Sequence, residues 1–245
     1  MNINKLILIL ALSSATPALA QQLPSEILNL NNWKLNVPEG IKPPGRSDEY
    51  KQPELHTYQH PQWFHTNASG DAVVFRANTG GTTTSGSGYP RSELREMKED
   101  GKKNASWSSS IGTHTLFIDQ RITHLPLKKP HMVVGQIHDD LDDVIVFRLE
   151  KNKLFVKMGN EKGPVLEENY QLGTRFTVSF KVKQDQTDCY YNGQLRFSYP
   201  KAFRNAYFKA GAYVQSSCQG KRKVIGESCD AYGEVEIYRV SLKHE

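Results

Sequence analysis

The sequence has little cysteine, no long hydrophobic run beyond its N-terminus and no pattern that predicts a long helix. Only three of its 245 residues are cysteine, and no spacing of cysteine and histidine matches a structural zinc site. No apolar run approaches the roughly 20 residues that a membrane-spanning helix needs. Apolar residues do not recur at helical spacing for more than about two turns. These absences exclude a zinc-stabilised domain, a helical membrane protein and a helical bundle, and we expect neither a metal nor a membrane partner.

The N-terminal segment has the three parts of a secretory signal peptide. Lys5 provides the positive charge, Leu6 to Leu12 form a short apolar run, and Ala18-Leu19-Ala20 is a small-residue cleavage site. We therefore expect residues 1–20 to be removed and residues 21–245 to form a single domain. The protein should be secreted or periplasmic.

The charge balance of the chain is basic. Lysine and arginine total 31 and aspartate and glutamate total 26, which gives a formal net charge of +5. A basic protein favours an acidic partner, although a modestly basic surface can also have no functional meaning. Export and the lack of a basic stripe along a helix argue against nucleic acid. A polyanionic polysaccharide is therefore the better candidate.

Most of the chain consists of short segments with strand patterns. Asn192-Gly193 predicts a type I′ hairpin turn between two of them. Strands are predicted at residues 33–37, 62–65, 72–77, 91–96, 113–123, 131–138, 144–149, 153–158, 176–183, 188–191, 194–199, 207–215 and 233–242. Residues 38–53 are predicted to be a long surface loop, and Gly80–Gly88 a loop over a binding cleft. This pattern indicates an all-β sandwich or barrel.

The strand at 207–215 alternates with a period of two, as a half-buried strand does. One face is apolar and carries Phe208, Ala210, Ala212 and Val214. The other face carries Lys209, Gly211, Tyr213 and Gln215. A cation, a phenol and an amide, with a glycine that permits close backbone approach, are unusual for a face that only needs solvation. This face is either a binding surface or an ordinary solvent face.

Two other strands repeat this arrangement of polar groups at every second residue. One of them carries three charged residues on one face: Arg91, Glu93 and Arg95. On the other, Gln136 and His138 share a face opposite Val133 and Ile137. Side by side in one sheet, the three strands would form a cationic wall that contains two groups able to move protons.

These stretches resemble the motifs of the alginate lyases of polysaccharide lyase family 7. They are RSELR at 91–95, QIH at 136–138 and YFKAGAYVQ at 207–215, and NWKLNVP at 32–38 is similar to the family's N-terminal strand. The resemblance covers roughly residues 30 to 243. It implies a concanavalin-like β-jelly roll whose concave sheet forms the substrate cleft. It also implies a lyase that cleaves alginate by β-elimination. We expect the protein to be a monomer and to require no cofactor, because arginine and glutamine can neutralise the sugar carboxylate.

The chemistry of that reaction suggests a role for each polar residue. The sugar carboxylate must be neutralised so that the C5 proton becomes acidic, and Arg91 can clamp it with two parallel hydrogen bonds. Gln136 would add an amide donor. Alternatively, Arg91 forms an ion pair with Glu93. Arg95 either contacts substrate or shares Glu93 with Arg91, so that the glutamate lies between the two arginines.

Two residues are candidates for proton transfer. His138, with an ordinary pKa of ~6.5, is a competent base at neutral pH. The resemblance implies that Tyr213 donates a proton to the leaving oxygen, and that it also acts as base when the C5 proton lies on the same side. Otherwise Tyr213 stacks on sugar and His138 is a structural strand histidine.

Other residues are expected to set specificity. We expect Lys209 and Gln215 to hold neighbouring sugar units. The resemblance associates Ile137 of the QIH motif with guluronate, although Ile137 should point away from the cleft. We expect internal cleavage of the polymer.

Three further features have structural interpretations. Cys218 and Cys229 flank a loop and form the expected disulfide, which leaves Cys189 buried in a strand. The acidic cluster at 139–143 is a solvated loop rather than a calcium site, since it lacks the EF-hand spacing. The basic run at 221–223 is a solvated loop that can also contact substrate.

Three alternatives remain open at the level of sequence. A lectin on the same fold would keep the cations and aromatics but needs no proton-transfer pair. A glycoside hydrolase needs two carboxylic acids facing one bond, for which Glu234 and Glu236 are the available pair. A lyase acting on glucuronan would use the same carboxylate clamp.

Overall fold

The computed structural model describes residues 22–41 and 45–245. The predicted signal peptide at residues 1–20 lies outside this part of the chain. Within it, no helix is long and apolar enough to cross a bilayer.

The regular secondary structure of the described chain is almost entirely β-strand. The two α-helices are single turns, α1 (Pro24–Ile27) and α2 (Glu54–Thr57), and a 3-10 helix spans Gly220–Arg222. The strands are β1 (Trp33–Val37), β2 (Asp48–Tyr50), β3 (Phe64–Thr66), β4 (Val73–Asn78), β5 (Arg91–Lys98), β6 (Lys103–Asn104), β7 (Thr113–His124), β8 (His131–His138), β9 (Asp143–Glu150), β10 (Lys153–Met158), β11 (Glu161–Glu167), β12 (Arg175–Lys183), β13 (Gln186–Tyr191), β14 (Gln194–Pro200), β15 (Tyr207–Val214) and β16 (Tyr232–His244).

The strands form two antiparallel sheets packed as a jelly-roll sandwich, which confirms the predicted fold class. The front sheet has the order β11-β10-β9-β8-β15-β5-β1-β2, with β6 added beside β5. The back sheet has the order β14-β13-β12-β7-β16-β4-β3. The three motif strands β8, β15 and β5 are therefore adjacent in the front sheet, as the cationic-wall hypothesis required.

The core lies between the two sheets and is filled by the inward residues of both. The apolar face of β15 is fully buried, with 0% exposure at Phe208, Ala210, Ala212 and Val214. Phe147 of the front sheet and Phe180 of the back sheet are stacked with ring centroids 4.1 Å apart. Since β15 buries its apolar residues inward, alternation turns Lys209 and Tyr213 outward to the opposite face.

Gly211 allows β15 to lie unusually close to β5. It pairs with Glu93 and has a φ of +139°, which L residues with side chains rarely adopt. A Cβ at this position would lie 2.5 Å from the Ser92 carbonyl oxygen and 2.8 Å from the Glu93 Cα. Glycine therefore permits a close approach of the two backbones here, and the contact brings Glu93 against the polar residues of β15.

The sequence missed three edge or minor strands. β2 lies within the predicted 38–53 loop and is only three residues long, and β6 has two residues. β11 contains Gly163-Pro164, a pair that signals a turn. As an edge strand paired only with β10, with register shifts, β11 tolerates a residue that lacks a backbone N–H.

The prediction that Val133 shares a face with Ile137 is wrong. Val133 is opposite Tyr213 on β15, whereas Ile137 is opposite the core residue Phe208. The register of β8 against β9 shifts between Val133 and Gly135, and this irregularity interrupts the alternation. Val133 therefore lies on the polar outer face, beneath the predicted catalytic residues.

Candidate active site

A cavity of about 580 Å³ lies on the outer face of the front sheet. Its floor is formed by β8, β15, β5 and β1, and its walls by the loops at residues 84–87 and 140–142. Five of the eight predicted site residues line it: Arg91, Arg95, His138, Lys209 and Tyr213. The strand order thus brings side chains more than a hundred positions apart in the sequence to one surface.

Glu93 is the centre of the charge network in the floor. Its carboxylate accepts hydrogen bonds from Arg91 NH1 at 2.9 Å and from Gln136 Nε2 at 2.5 Å. Lys209 Nζ lies 2.6 Å from the same carboxylate. Glu93 is 1% exposed, so its charge is compensated by these three partners rather than by water.

The ionisation of this network is set by burial and by mutual attraction. Burial opposes the charge of Glu93, but Lys209 and Arg91 outweigh burial and lower the pKa of the carboxyl group. Burial, helped by the nearby charge of Arg91, lowers the pKa of Lys209 to about 8. Near neutral pH the network therefore holds two cations around one carboxylate.

The alternative in which Glu93 lies between Arg91 and Arg95 is wrong. The hydrogen bonds and ion pairs that Glu93 forms within the described chain go to Arg91, Gln136 and Lys209. Arg95 is directed elsewhere: it donates to the Glu96 carbonyl oxygen and its guanidinium lies 3.9 Å from the centre of the Tyr207 ring. Lysine on the neighbouring strand takes the place that the sequence hypothesis gave to arginine.

Tyr213 is held between an arginine and a loop serine. The Arg91 guanidinium carbon lies 3.7 Å from the centre of the Tyr213 ring, in a cation–π contact. The Tyr213 hydroxyl lies 3.1 Å from Ser87 Oγ. Tyr89 packs edge-on against the same ring, with centroids 6.4 Å apart. The phenol thus faces the cavity beside a fixed positive charge.

His138 has its tautomer fixed by the backbone. Its Nδ1 lies 2.5 Å from the Asp139 carbonyl oxygen, which accepts a hydrogen bond and so places the proton on Nδ1. The lone pair of Nε2 is then available to act as a base. Tyr207 stacks on the ring and its hydroxyl lies 3.1 Å from Nδ1. Burial and the nearby charge of Lys209 lower the pKa of His138, so the neutral form predominates at neutral pH.

Gln215 is not part of the cavity. It is 8% exposed, and its Oε1 accepts a hydrogen bond from Arg148 at 3.2 Å. Arg148 in turn pairs with Glu150 at 2.8 Å. A role for Gln215 in holding substrate therefore stays a prediction without support from the cavity.

Several cavity residues were missed by the sequence analysis. Lys34, Asn36 and Arg46 line the cavity beside β5, and Lys34 forms an ion pair with Glu49 at 2.7 Å. Tyr207 lies on the same face of its strand as Lys209, so the alternation that identified Lys209 also carried the signal for Tyr207. Lys34 and Asn36 are likewise two residues apart on β1.

The loop that carries Ser87 is anchored at its base by a disulfide. Cys218 and Cys229 are bonded as predicted, and Cys189 is a buried free thiol. The Gly80 amide donates to the Cys229 carbonyl oxygen at 3.0 Å. A Cβ on Gly80 would lie 2.8 Å from the Cys229 Cβ, so the two segments are in close contact.

The two charged loops occupy different positions around the cavity. Asp140 and Asp142 of the acidic cluster line the cavity beside His138, whereas Asp143 lies 3.5 Å from Lys157. Lys221 and Arg222 line a second cavity of about 750 Å³ next to the Ser87 loop. No group of acidic, histidine or cysteine side chains in residues 22–41 and 45–245 is arranged to hold a metal ion.

The carboxylate pair required by a hydrolase is not at this site. Glu234 and Glu236 lie on β16 of the back sheet, on the other side of the core. Each forms an ion pair with an arginine of that sheet, at 2.6 Å to Arg76 and 2.8 Å to Arg121. Glu234 and Glu236 therefore cannot serve as the two acids of a hydrolase at this cavity.

A sequence model described as alginate lyase matches residues 28–244, nearly the whole described chain. The chain belongs to the alginate lyase family. The predicted family and the class of enzyme, a polysaccharide lyase, are confirmed by this match. The motifs of this family member are the strands that build the cavity floor.

Solved structures of alginate lyases share the fold of this family member. An alginate lyase of polysaccharide lyase family 7 is 52% identical with a TM-score of 0.86, over 91% of this chain and 99% of that one. An alginate lyase from a Corynebacterium species is 41% identical with a TM-score of 0.86, over 92% and 99% of the two chains.

A curated alginate lyase from Klebsiella pneumoniae is more distant. It is 32% identical over 170 residues, which cover 59% of this chain. The match spans 55% of that protein, about half its length.

Proposed function

We propose that the protein is an alginate lyase that cleaves the chain by β-elimination at the cavity of the front sheet. The observation that carries this proposal is the convergence of His138 and Tyr213 on one cavity whose floor is rich in cations. Five cationic side chains line the cavity: Lys34, Arg46, Arg91, Arg95 and Lys209. A uronate polymer carries one carboxylate per sugar and is the class of ligand that such a surface attracts.

Neutralisation of the sugar carboxylate falls to Arg91, Gln136 and Lys209. All three already contact Glu93, which fixes their side chains before substrate arrives. Guanidinium, ammonium and amide groups have more than one N–H, so each can keep its bond to Glu93 and donate to substrate as well. Fixed donors of this kind stabilise the negative charge that develops when the C5 proton is removed.

Proton transfer falls to His138 and Tyr213. When the base removes the C5 proton, the electrons of that bond form the C4–C5 double bond, and the C4–O4 bond breaks. Tyr213 gives its phenolic proton to the leaving oxygen. His138 Nε2 accepts the C5 proton when it lies opposite that oxygen. When the C5 proton lies on the same side, Tyr213 begins as the phenolate, accepts that proton and then gives it to the leaving oxygen. No step requires a cofactor.

We also propose internal cleavage with a preference for guluronate-containing blocks. The floor spans four adjacent strands, roughly 14 Å at about 4.8 Å per interval, which is longer than one sugar ring. Ile137 is fully buried in the core, so it can influence block preference only through Gln136 and His138. Asp140 and Asp142 repel sugar carboxylates at the wall and so favour their placement over the cationic floor.

The proposal includes export and a monomeric state. The disulfide between Cys218 and Cys229 fits an oxidising compartment, in line with the predicted signal peptide at residues 1–20. Residues 21–245 would be the mature single-domain enzyme. Mass determination of the secreted protein and its elution volume in size-exclusion chromatography test both statements.

The decisive experiment is ultraviolet absorbance of the mature protein mixed separately with polymannuronate, polyguluronate and glucuronan, without added metal. Elimination creates a double bond conjugated to the carboxylate, whereas hydrolysis and binding do not. We expect a rise on alginate, largest on polyguluronate, that is abolished in Tyr213→Phe. A rise in absorbance on glucuronan alone would show that alginate is not the substrate. Binding without any rise in absorbance would favour the lectin hypothesis.

A further inference from the structure

Ser87 has an unusually crowded hydroxyl group at the edge of the cavity. Its Oγ lies 3.0 Å from Arg91 NH2, 3.2 Å from the Tyr89 amide nitrogen and 3.0 Å from the Tyr89 carbonyl oxygen. The fourth neighbour is the Tyr213 hydroxyl at 3.1 Å. All four groups are within hydrogen-bond distance of one atom.

The chemistry of these four neighbours restricts what the serine can do. A hydroxyl group has one hydrogen and two lone pairs. The Arg91 guanidinium and the Tyr89 amide can only donate, so together they occupy both lone pairs of Ser87 Oγ. The single hydrogen must then go to the Tyr89 carbonyl oxygen or to the Tyr213 hydroxyl oxygen. Ser87 is therefore a poor acceptor from Tyr213, and it can donate to Tyr213 when its hydrogen turns from the Tyr89 carbonyl oxygen to the phenolic oxygen.

We propose that Ser87 is a positioning residue for Tyr213, which directs the phenolic proton into the cavity and stabilises the phenolate that remains after proton transfer. This inference rests on the proposed role of Tyr213 as proton donor. Because Ser87 has no free lone pair, the phenolic hydrogen turns away from it towards the substrate. Once Tyr213 has given that hydrogen to the leaving oxygen, Ser87 donates to the phenolate oxygen.

Arg91 strengthens this donor. A serine hydroxyl that accepts a hydrogen bond from a cation is polarised and donates more strongly in turn. Arg91 also lies over the Tyr213 ring at 3.7 Å and holds Glu93 at 2.9 Å. The guanidinium thus stabilises the phenolate directly through the ring and indirectly through Ser87.

The fold keeps the serine in place from outside the sheet. The loop that carries Ser87 begins at Thr79 and Gly80, which contact the segment between Cys218 and Cys229. Thr79 Oγ1 donates to the Ser228 carbonyl oxygen at 2.5 Å, and Gln219 Nε2 donates to the Gly80 carbonyl oxygen at 2.9 Å. A disulfide-closed loop therefore supports the residue that orients the proposed catalytic proton.

The test compares Ser87→Ala with Ser87→Thr in steady-state kinetics on the preferred alginate block. We expect Ser87→Ala to lower kcat by about 10- to 100-fold, the effect of losing a hydrogen bond to a charged group, with little change in KM. Ser87→Thr keeps the hydroxyl and should retain most of kcat. Ser198→Ala is the matched control, since it removes one serine hydrogen bond on the back sheet, to Asp188, and should leave kcat unchanged.

A second readout separates this inference from the proposed function. Carbon NMR of protein labelled at the tyrosine phenol carbon gives a Tyr213 resonance, identified by its loss in Tyr213→Phe. We expect it to shift in Ser87→Ala and not in Ser198→Ala, whether or not the enzyme acts on alginate. Wild-type inactivity on every polyuronate would overturn the proposed function alone. An unchanged kcat or an unchanged Tyr213 resonance in folded Ser87→Ala would overturn the positioning role, as would an equal loss of kcat in Ser87→Thr.

Discussion

Strands β5 and β15 carry two arginine–tyrosine pairs that use the same residue types in different environments. Arg91 lies 3.7 Å from the ring centre of Tyr213, and Arg95 lies 3.9 Å from that of Tyr207. The Tyr213 hydroxyl contacts a serine of the cavity wall, whereas the Tyr207 hydroxyl contacts Nδ1 of His138. Local sequence alone does not distinguish the two stacked pairs.

The neighbours decide what each tyrosine can do. Burial raises the pKa of Tyr207, which therefore stays protonated and supports the His138 ring. Tyr213 faces the Ser87 hydroxyl at 3.1 Å and a guanidinium that is also bound to Glu93. The surroundings therefore decide the role of each tyrosine. The Ser87 loop and β5 surround the proposed acid Tyr213, whereas Tyr207 on the same strand supports the ring of the proposed base His138.

The largest expected effect separates the two tyrosines directly. Tyr213→Phe keeps the ring on Arg91 but removes the proton donor, and should lower kcat by about 100- to 10,000-fold. Tyr207→Phe loses one hydrogen bond beside His138 and should lower kcat by about tenfold or less. Initial rates of double-bond formation measure both. A larger loss in Tyr207→Phe would reverse the assigned roles.

Replacement of Glu93 should affect the Arg91–Tyr213 pair and not the Arg95–Tyr207 pair. Glu93→Gln leaves Arg91 and Lys209 buried without their carboxylate, and should destabilise the fold by about 3–5 kcal/mol at neutral pH. The pKa of Glu93 is lowered in the folded state, so its stabilising charge is present above the ordinary value of 4.5. Chemical denaturation at several pH values measures the difference.

The sign of this pH dependence provides the check. As pH falls below about 4.5, Glu93 takes up a proton in the unfolded state before it does so in the folded state, so the stability gap to Glu93→Gln should narrow. A gap that stays constant would mean that the glutamate contributes through shape rather than charge. Arg95 and Tyr207, which contact other groups, should keep their stacking in the variant.

Replacement of each arginine by lysine sharpens the comparison at a smaller scale. Lysine cannot hold Glu93 and Ser87 at once while covering the ring, so Arg91→Lys should lower kcat/KM by about 10- to 100-fold. Arg95→Lys loses a bond to the Glu96 carbonyl oxygen and should cost less than about tenfold. Equal losses would show that the two pairs contribute alike to substrate binding.

The smallest expected effect concerns the pH profile of kcat/KM. Its alkaline limb should depend on Lys209, which lies near Tyr213, and its acid limb on His138, which lies beside Tyr207. Lys209 Nζ lies 5.9 Å from the ring centre of Tyr213, and with a pKa of about 8 it loses its charge above that pH, so kcat/KM should fall there. His138, beside Tyr207, must be neutral to act as base, and its lowered pKa places the acid limb below 6.5. Tyr207→Phe should move the acid limb alone. A shift of the alkaline limb in that variant would contradict the separation.

Much of the front sheet could be predicted from alternation alone. The strands at 131–138 and 153–158 have the predicted bounds, and the outward faces of β5 and β15 carry the predicted residues. Short edge strands such as β11 could not be predicted, because Gly163 and Pro164 contradict a strand locally and only pairing with β10 stabilises it. The side of the sheet on which Val133 lies could not be predicted for a similar reason, since a register shift depends on two strands together.

The sequence by itself determined the family, through its motifs, and also the all-β class and which residues of β5 and β15 point outward, because a period of two is a local property of a strand. Only the tertiary structure decided that Lys209 rather than Arg95 pairs with Glu93, that Gln215 lies outside the cavity and that Ser87 reaches Tyr213. Those contacts depend on strand register and on a disulfide-anchored loop. Strand register and the anchored loop bring together residues that are far apart in the chain, and a local sequence pattern does not predict such contacts.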